Sequence, residues 1–253
     1  MLFSLQHLIG SDLKANDGRI GDLHDALFDD VAWTVRHLVA DTGTWLPGRK
    51  VLIPPQAVGR PDVTGRVLPV DLTKEQIKNS PPIEEDAPVS RAREESVLTY
   101  YGWEPYWPVA IPHPTPAEME TRPVGEGETD QAVAVLRRQN DPDLRSTREV
   151  TGYHLQATDD EIGHVEDFIV EDATWTVRYM VVDTRNWLPG RKVLISPNWI
   201  ERITWKQRQV DVQLTQDQVR NSPKYDPTAP VNRAYEEKLY DYYGRPVYWE
   251  SAD

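Results

Sequence analysis

Cysteine is absent from this 253-residue sequence, and the absence limits the chemistry open to the chain. Without thiols it can form no disulfide framework, no thiolate nucleophile, no iron–sulfur cluster and no cysteine zinc site. The absence itself carries no information about the cellular compartment. Any catalytic or metal site must therefore be built from other side chains.

Long apolar runs are also missing from the sequence. No stretch approaches the ~20 apolar residues that a membrane-spanning helix needs. The first ten residues lack the basic start and the long apolar run of a secretory signal. We therefore expect a cytoplasmic protein that is not transmembrane.

Basic side chains are in the minority. The 28 Lys and Arg residues stand against 41 Asp and Glu residues, which gives a formal net charge of -13. This charge repels a phosphate backbone and removes the main contribution to nonspecific nucleic-acid affinity. We expect no direct binding to nucleic acid.

The sequence does contain a long internal repeat. The segment from Trp45 to Ile53 recurs 142 residues further along as Trp187 to Ile195. When residues 10–107 are laid without a gap against residues 152–249, about 46 of the 98 positions are identical. Such self-similarity at one fixed offset indicates an internal duplication.

The repeat predicts two domains and a connector. We place the first domain at residues 1–107 and the second at residues 148–253, each large enough for a modest core of its own. Residues 108–147 form a proline-rich acidic linker, whose composition favours extended backbone. Within it, residues 130–139 carry apolar side chains flanked by charge and predict a short helix.

Each copy reads as a set of short strands separated by turns. In the first copy, residues 19–29 and 33–41 predict a hairpin around Asp30. Residues 50–53 predict a third strand after the turn Leu46-Pro47-Gly48-Arg49. Residues 63–72 predict a fourth strand, which residues 204–214 match in the second copy. This pattern is typical of a small barrel or sandwich.

Two helices follow the strands in each copy. Thr73 and Thr215 are typical N-caps of short helices that end at Asn-Ser-Pro. Second helices are predicted over Arg91–Tyr101 and over Arg233–Tyr243. Glycine follows each of them, at the position where a left-handed residue closes a helix.

The order of several short motifs resembles that of the PRC-barrel domain. These are Gly18-Arg19-Ile20-Gly21, the strand from Trp33-Thr34-Val35-Arg36 to Asp41, and Val51 to Pro54. The family is named for the cytoplasmic domain of the photosynthetic reaction-centre H subunit, and it supplies the C-terminal domain of a ribosome-maturation factor. The resemblance covers roughly residues 3–80 and 148–222. It implies a mainly β fold of two small PRC-type barrels with short helices, related by internal duplication.

The resemblance also implies a kind of function. Barrels of this family dock onto other proteins and share no common reaction or bound cofactor. For this chain it implies a protein partner within a membrane-associated or a ribonucleoprotein assembly, and it leaves homo-oligomer formation open. We therefore expect a non-enzymatic interaction or assembly scaffold without a cofactor.

Aromatic side chains are the main candidates for partner contact, since the chain has nine Trp and eleven Tyr but three Phe. Trp33 and Trp175 read as core residues within strands. Trp45 and Trp187 lie in loops just before the Pro-Gly turn, where a large ring either clamps the chain or anchors a partner. Each aromatic tail packs back onto its own barrel or crosses to the other copy, and crossing would create a pseudo-twofold unit. The tentative partner-binding residues are Trp45, Trp187, Trp107, Trp249, Tyr101 and Tyr243.

A repeated basic turn is the candidate anion site. Gly48 precedes Arg49 and Lys50, and Gly190 precedes Arg191 and Lys192, so that turn N–H groups and two cations could hold an anion in each copy. Alternatively these side chains form a polar turn that faces the acidic linker. An anion or small ligand bound in the groove between the barrels is the alternative function.

Catalytic and metal-binding patterns are not found. The six histidines lie at no metal-binding spacing, and no Gly-x-Ser-x-Gly elbow occurs. Asp25, Asp29 and Asp30 cluster at the hairpin turn, where a solvated acidic turn is favoured over a calcium site because the EF-hand spacing and glycine are absent. We predict no catalytic residues and no metal site.

Overall fold

Two mixed β-sheets and a few short helices make up the described part of the chain. The structure is a computed structural model, and it describes residues 1–62, 66–83, 89–107, 144–184 and 190–249. The fold is mainly β, as predicted. The helix predicted at residues 130–139 lies outside the described residues.

The first sheet is built mostly from the first copy. Its strand order is β5-β4-β3-β2-β6, and all pairs along this path are antiparallel except the parallel pair β2 and β6. The strands are β2 (Asp12–Ala15), β3 (Gly18–Asp29), β4 (Thr34–Asp41), β5 (Lys50–Ile53) and β6 (Val67–Pro69).

The second sheet follows the same plan. Its order is β11-β10-β9-β8-β13-β12, with β8 and β13 parallel. The strands are β8 (His154–Gln156), β9 (Glu161–Glu171), β10 (Val177–Asp183), β11 (Lys192–Ile195), β12 (Ile200–Thr204) and β13 (Gln209–Val212). No pairing among the described strands joins the two ends of either path, so closure into barrels stays a prediction.

Two further strands connect the sheets. β1 (Leu2–Ser4) comes from the first copy but pairs with β9. β7 (Leu144–Ser146) lies in the segment assigned to the linker from the sequence, but it matches β1 at the offset of 142 residues and is counted here with the second copy; it pairs with β3. Each copy therefore contributes its first strand to the sheet of the other copy.

The helices are short and their ends carry local signals. Thr73 and Thr215 each form a capping box with the glutamine three residues later, as the N-cap prediction required. Gly102 and Gly244 close the long helices in the left-handed conformation, which confirms their predicted role. The helices are α1 (Leu5–Leu8), α2 (Lys74–Asn79), α3 (Arg91–Tyr101), α4 (Thr147–Val150), α5 (Gln216–Asn221) and α6 (Arg233–Tyr243). None of these helices in the described ranges is long and apolar enough to cross a membrane.

The prediction of one strand over residues 204–214 is wrong. β12 ends at Thr204, and a 3-10 turn over Trp205–Gln207 separates it from β13. Arg208 completes the turn in the left-handed conformation with φ 53°, which reverses the chain into a hairpin. The matching strand predicted over residues 63–72 is reduced to β6, and residues 63–65 lie outside the described residues.

The hydrophobic core is continuous between the two copies. Phe28 of β3 and Phe168 of β9 lie with their ring centres 5.8 Å apart and are both almost fully buried. Leu5 and Leu8 of α1 belong to the same cluster. A core shared in this way holds the two sheets together by burial of apolar surface.

Candidate functional site between the two copies

The N-terminal segment of each copy forms an arm that lies on the other copy. We call residues 2–8 the first arm and residues 144–150 the second arm. In the first arm, Leu2, Phe3 and Ser4 stand opposite Glu171, Val170 and Ile169 of β9. In the second arm, Leu144 to Ser146 stand opposite Asp29 to Leu27 of β3. The two contacts are equivalent, because each arm and each strand is displaced by the same 142 residues.

A buried aspartate anchors the first arm. Asp167 accepts a hydrogen bond from the hydroxyl of Ser4 and another from the backbone N–H of Gln6 at 2.9 Å. Its own strand adds the N–H of Phe168 at 2.7 Å. Burial raises the pKa of Asp167 above its ordinary value, although these hydrogen bonds act in the opposite direction.

The second arm is anchored by the equivalent residue, Asp25. It accepts hydrogen bonds from the hydroxyl of Ser146 at 2.5 Å and from Thr147 at 2.9 Å. The backbone N–H of Arg148 adds a third at 3.3 Å. In both arms, therefore, the serine at the third position donates a hydrogen bond to a buried aspartate on a strand of the other copy.

The approximate twofold axis passes between Thr34 and Thr176, which are equivalent residues and form a β-bridge. The N–H of Val35 donates to the carbonyl of Trp175 at 2.8 Å, and the N–H of Val177 donates to the carbonyl of Trp33 at 2.7 Å. A pairing in which each residue meets its own equivalent is the mark of an isologous interface.

The prediction places Trp33 and Trp175 in the core and within strands. Trp175 is a core residue and Trp33 packs partly buried against the core, but the placement within strands is wrong. Both adopt the left-handed conformation, with φ of 52° and 55°, in the turns before β4 and β10. Trp33 stacks on Phe28 at 5.1 Å, and Trp175 meets Phe3 of the first arm edge-on at 5.7 Å. The turn conformation places their carbonyls toward the other copy, so both residues belong to the interface.

Two equivalent clefts flank the axis and are lined by both copies. The larger has a volume of about 290 Å³ and lies between Arg36 and Tyr106 of the first copy and the turn Asp172–Trp175 of the second. The smaller has a volume of about 140 Å³ and lies between Arg178 and Tyr248 of the second copy and the turn before β4. These clefts are where a small molecule could touch both copies at once.

An arginine on a tyrosine ring forms one wall of each cleft. The guanidinium carbon of Arg36 lies 3.8 Å from the ring centre of Tyr106, and that of Arg178 lies 4.1 Å from Tyr248. A carboxylate holds each arginine, Asp29 at 3.2 Å for Arg36 and Glu171 at 2.5 Å for Arg178. The positive charge of each wall arginine is therefore balanced by a carboxylate of the same copy.

Behind this wall, each aromatic tail is tied to a buried glutamate of its own copy. In the first copy, Glu94 accepts a hydrogen bond from Tyr106 at 2.8 Å and lies 3.3 Å from His37. In the second copy, Glu236 accepts from Tyr248 and from Tyr179, both at 2.8 Å. The tails therefore pack back onto their own copy.

The tryptophans that end the tails are covered by arginine side chains. Trp107 lies beneath Arg91, and Trp249 beneath Arg233, with guanidinium carbons 4.1 and 3.9 Å from the ring centres. Trp45 is half-buried, with the ammonium of Lys74 4.8 Å from its ring. The contact with Lys74 is consistent with the clamp interpretation of Trp45. Partner binding by Trp45, Trp107 and Trp249 stays a prediction. Trp187 lies outside the described residues.

Tyr101 and Tyr243 are half-buried at the ends of α3 and α6. The ring centre of Tyr101 lies 4.8 Å from that of Trp103, and Tyr243 lies 4.7 Å from Trp199. Burial raises the pKa of Tyr243 to about 12, so the hydroxyl stays protonated. Partner binding by these two residues also stays a prediction.

The structure gives intramolecular partners to the candidate anion-binding arginines. Arg49 donates to the backbone carbonyls of Lys78, at 2.7 Å, and Ser80, at the end of α2. Arg191 donates in the same way to Ser222. Both arginines therefore stabilise a helix C-terminus, where cations are favoured.

The adjacent lysines do not complete an anion site in the groove. Lys192 pairs with Glu166 at 2.6 Å, and Lys50 lies near His24, which occupies the equivalent position in the first copy. None of the four candidate cations lines either cleft at the interface. Anion binding by these residues stays a prediction, at a place distinct from the groove.

The acidic hairpin turn is used for internal contacts. Asp25 anchors the second arm, Asp29 accepts from the N–H groups of Val31 and Ala32, and Asp30 pairs with Arg145 at 3.1 Å. Among the described residues, no group of three or more His, Asp or Glu side chains is arranged to hold a metal ion.

Sequence reasoning missed the residues that join the copies. Ser4 and Ser146 recur at the same offset as the rest of the repeat, and a comparison extended below residue 10 would have included them. Arg36 and Arg178 belong to a recurring motif, but the periodicity of a strand does not reveal that a side chain near its start lines a cleft. The one sequence signal for these two positions is that arginine occurs at the same place in both copies.

Comparisons with known proteins add no family to this description. No family model matches the chain, and no curated protein matches it significantly. The resemblance to the PRC-barrel family therefore stays a prediction. The proposals that follow depend on the residues and contacts described above.

Proposed function

We propose that this chain is a non-enzymatic scaffold for protein interaction or assembly, built from two duplicated PRC-type barrel modules and acting in the cytoplasm. The reciprocal arm exchange is the observation that carries the proposal. It fixes two equivalent surfaces in one body, so that a partner with two sites, or two partner molecules, meets them in a constant relation. Binding at the second site then becomes intramolecular and gains avidity.

The surface best suited to such contacts surrounds Tyr100 and Tyr242. These equivalent residues are large apolar side chains that are 39% and 40% exposed. Each hydroxyl donates to a backbone carbonyl at 2.8 Å, of Gln76 and of Gln218, which holds the ring in place. A fixed aromatic ring loses little conformational entropy on binding, and tyrosine is common in interface hot spots.

A cleft beside Tyr242 provides room for a partner segment. It has a volume of about 790 Å³ and lies between the end of α5 and the outer side of α6. Pro223 and Ala234 give it apolar surface, and its charged lining is mixed, with Lys224 and Lys238 beside Glu237 and Asp241. The predicted aromatic residues Trp45, Trp107 and Trp249 are further candidates for partner contact elsewhere on the chain.

Capture of a partner from native lysate tests this proposal. A photo-crosslinking residue placed at position 100 or 242 should link the chain to one stoichiometric protein. The double variant Y100A/Y242A should lose capture much more strongly than either single variant, because avidity is lost with the second site. The matched control is K78A/R220A, which changes an equivalent exposed pair on α2 and α5. Capture that is absent at several salt concentrations, or unchanged in Y100A/Y242A, would contradict the proposal.

A second candidate function is a sensor that binds a small ligand in the interface clefts. The observation that favours it is the pair of equivalent clefts walled by Arg36 and Arg178. A ligand that binds the folded chain raises its melting temperature by mass action. Such a ligand should stabilise the wild type more than R36K/R178K, in which the planar guanidinium is lost. A ligand screen in which neither protein shifts would remove this candidate.

A further inference from the structure

The two arms share very few residues, although they bind in the same way. Both have leucine at the first position, as Leu2 and Leu144, and serine at the third, as Ser4 and Ser146. The seventh position is apolar and fully buried in both, as Leu8 and Val150. The four remaining positions differ. Recognition therefore depends on three positions of a segment that runs from a short strand into one helical turn, and on its backbone.

The strand that receives the first arm forms a complete binding site for such a segment. We call this site the β9 acceptor; it consists of Asp167 and the strand residues 169–171. It offers backbone partners to three consecutive residues and a buried carboxylate to the serine hydroxyl. On the side of the ligand, only the backbone of Leu2–Ser4 and the hydroxyl of Ser4 take part in these contacts.

We propose that the β9 acceptor is a transferable recognition site that also takes the first arm of a second copy of this chain. The contact between the second arm and β3 is continuous with the same interface and shows that the geometry works for a segment from a different part of the sequence. When two chains exchange first arms reciprocally, each arm keeps its contacts with β9 and Asp167. The cost is the association entropy and the rearrangement of Ile9 and Gly10, which are hydrogen-bonded to Arg66 and Leu23 of their own copy. Through this exchange, scaffold chains would link to one another.

The chain's own arm competes for the site. An arm on a short tether has an effective concentration in roughly the millimolar range, so exchange between chains is favoured only where copies are concentrated. An assembly that gathers several copies would provide such a condition. The inference does not depend on the proposed partner surface around Tyr100 and Tyr242.

Engineered cysteines test the proposal, because the natural chain contains none. Leu2 and Glu171 stand directly opposite each other when the arm is seated. Full-length L2C, carrying a mass tag, is mixed at high concentration with full-length E171C, and the mixture is incubated and oxidised. The control mixture replaces E171C by E201C, which puts a cysteine at an exposed position on β12.

The expected result is about ten times more mixed disulfide between L2C and E171C than in the control, because only a seated arm holds the two sulfurs within bonding distance. Equal amounts in both mixtures at every concentration would overturn the proposal. A single chain with both substitutions, L2C/E171C, must form its internal disulfide readily. Its failure to do so would also overturn the proposal, because the arm would then not occupy the acceptor.

Discussion

At the scale of single residues, the interface depends on hydroxyl groups bonded to buried carboxylates. Ser4 donates to Asp167, and Ser146 donates to Asp25. A hydrogen bond to a charged buried group contributes roughly 1.5–3 kcal/mol. Its removal also leaves a carboxylate oxygen without its partner.

We therefore predict that S4A and S146A each lower the free energy of unfolding by about 2 kcal/mol in urea denaturation. S96A is the control, since Ser96 is exposed on α3 and donates only to a carbonyl of its own helix. Its stability should change by less than about 0.5 kcal/mol. If both interface variants matched S96A, the hydroxyl–carboxylate contacts would not hold the arms.

Asp167 should make stability depend on pH in the acid range. Because burial raises its pKa, the folded chain keeps the proton at pH values where the unfolded chain has lost it. The contribution of Asp167 to stability is therefore fully present below the unfolded-state value of 3.8 and is lost as pH rises through the folded-state pKa.

The variant D167N carries no titrating group at this position. Its free energy of unfolding relative to wild type should increase as pH is raised above about 4, because the unfolded wild type then loses the Asp167 proton more readily than the folded wild type does. Urea denaturation at several pH values measures this difference. A difference that stays constant, or that decreases with pH, would show that the burial of Asp167 does not determine its protonation.

At the scale of strands and helices, one glycine in each copy allows the longest strand to pass close to its neighbour. Gly21 of β3 and Gly163 of β9 have φ of 142° and 135°. A Cβ atom at either position would overlap the backbone carbonyl of Asp41 or Asp183. Backbone cannot move aside as a flexible side chain can.

We predict that G21A and G163A each cost about 3 kcal/mol or more of folding stability, through backbone strain and steric overlap. G43A is the control, because Gly43 also has positive φ but has open space around its Cβ position. Thermal denaturation should rank both strand variants well below G43A. Equal melting temperatures would mean that the close approach is not needed.

The helices could be predicted from the sequence because their signals are local. Thr73 with Gln76, and Gly102 after α3, act within one helical turn, and the residues themselves carry the information. The three-residue strands β1 and β7 have no such signal. A segment that short becomes a strand only because β9 and β3 present an open edge to it, and this depends on contacts more than a hundred residues apart.

The same reasoning explains the errors around Trp33 and Trp205. An apolar run near Trp33 favours a strand, but the structure needs a left-handed turn there to reach the other copy. The hairpin of β12 and β13 depends on the left-handed Arg208, a conformation that arginine rarely adopts and that no composition rule predicts. Tertiary contacts decided both cases.

At the scale of the whole molecule, the unit that repeats in the sequence is not the unit that packs together in the structure. The repeat begins each copy with its arm, whereas the structure packs each arm on the other copy. The sequence leaves open whether the aromatic tails cross or pack on their own copy, and in the structure Glu94 and Glu236 hold each tail on its own copy. A pseudo-twofold body thus arises from the arms, which sequence patterns do not distinguish from ordinary strand segments.

Cutting the connector tests this central claim most directly. A protease site is inserted between Gly125 and Glu126 of the full chain, and the purified protein is cleaved and examined by native mass spectrometry. The exchanged arms and the shared core should keep the two halves together, at the mass of the uncut chain of 29.0 kDa plus the inserted site. Separation into two independent species, at concentrations where the uncut chain is folded, would contradict the account.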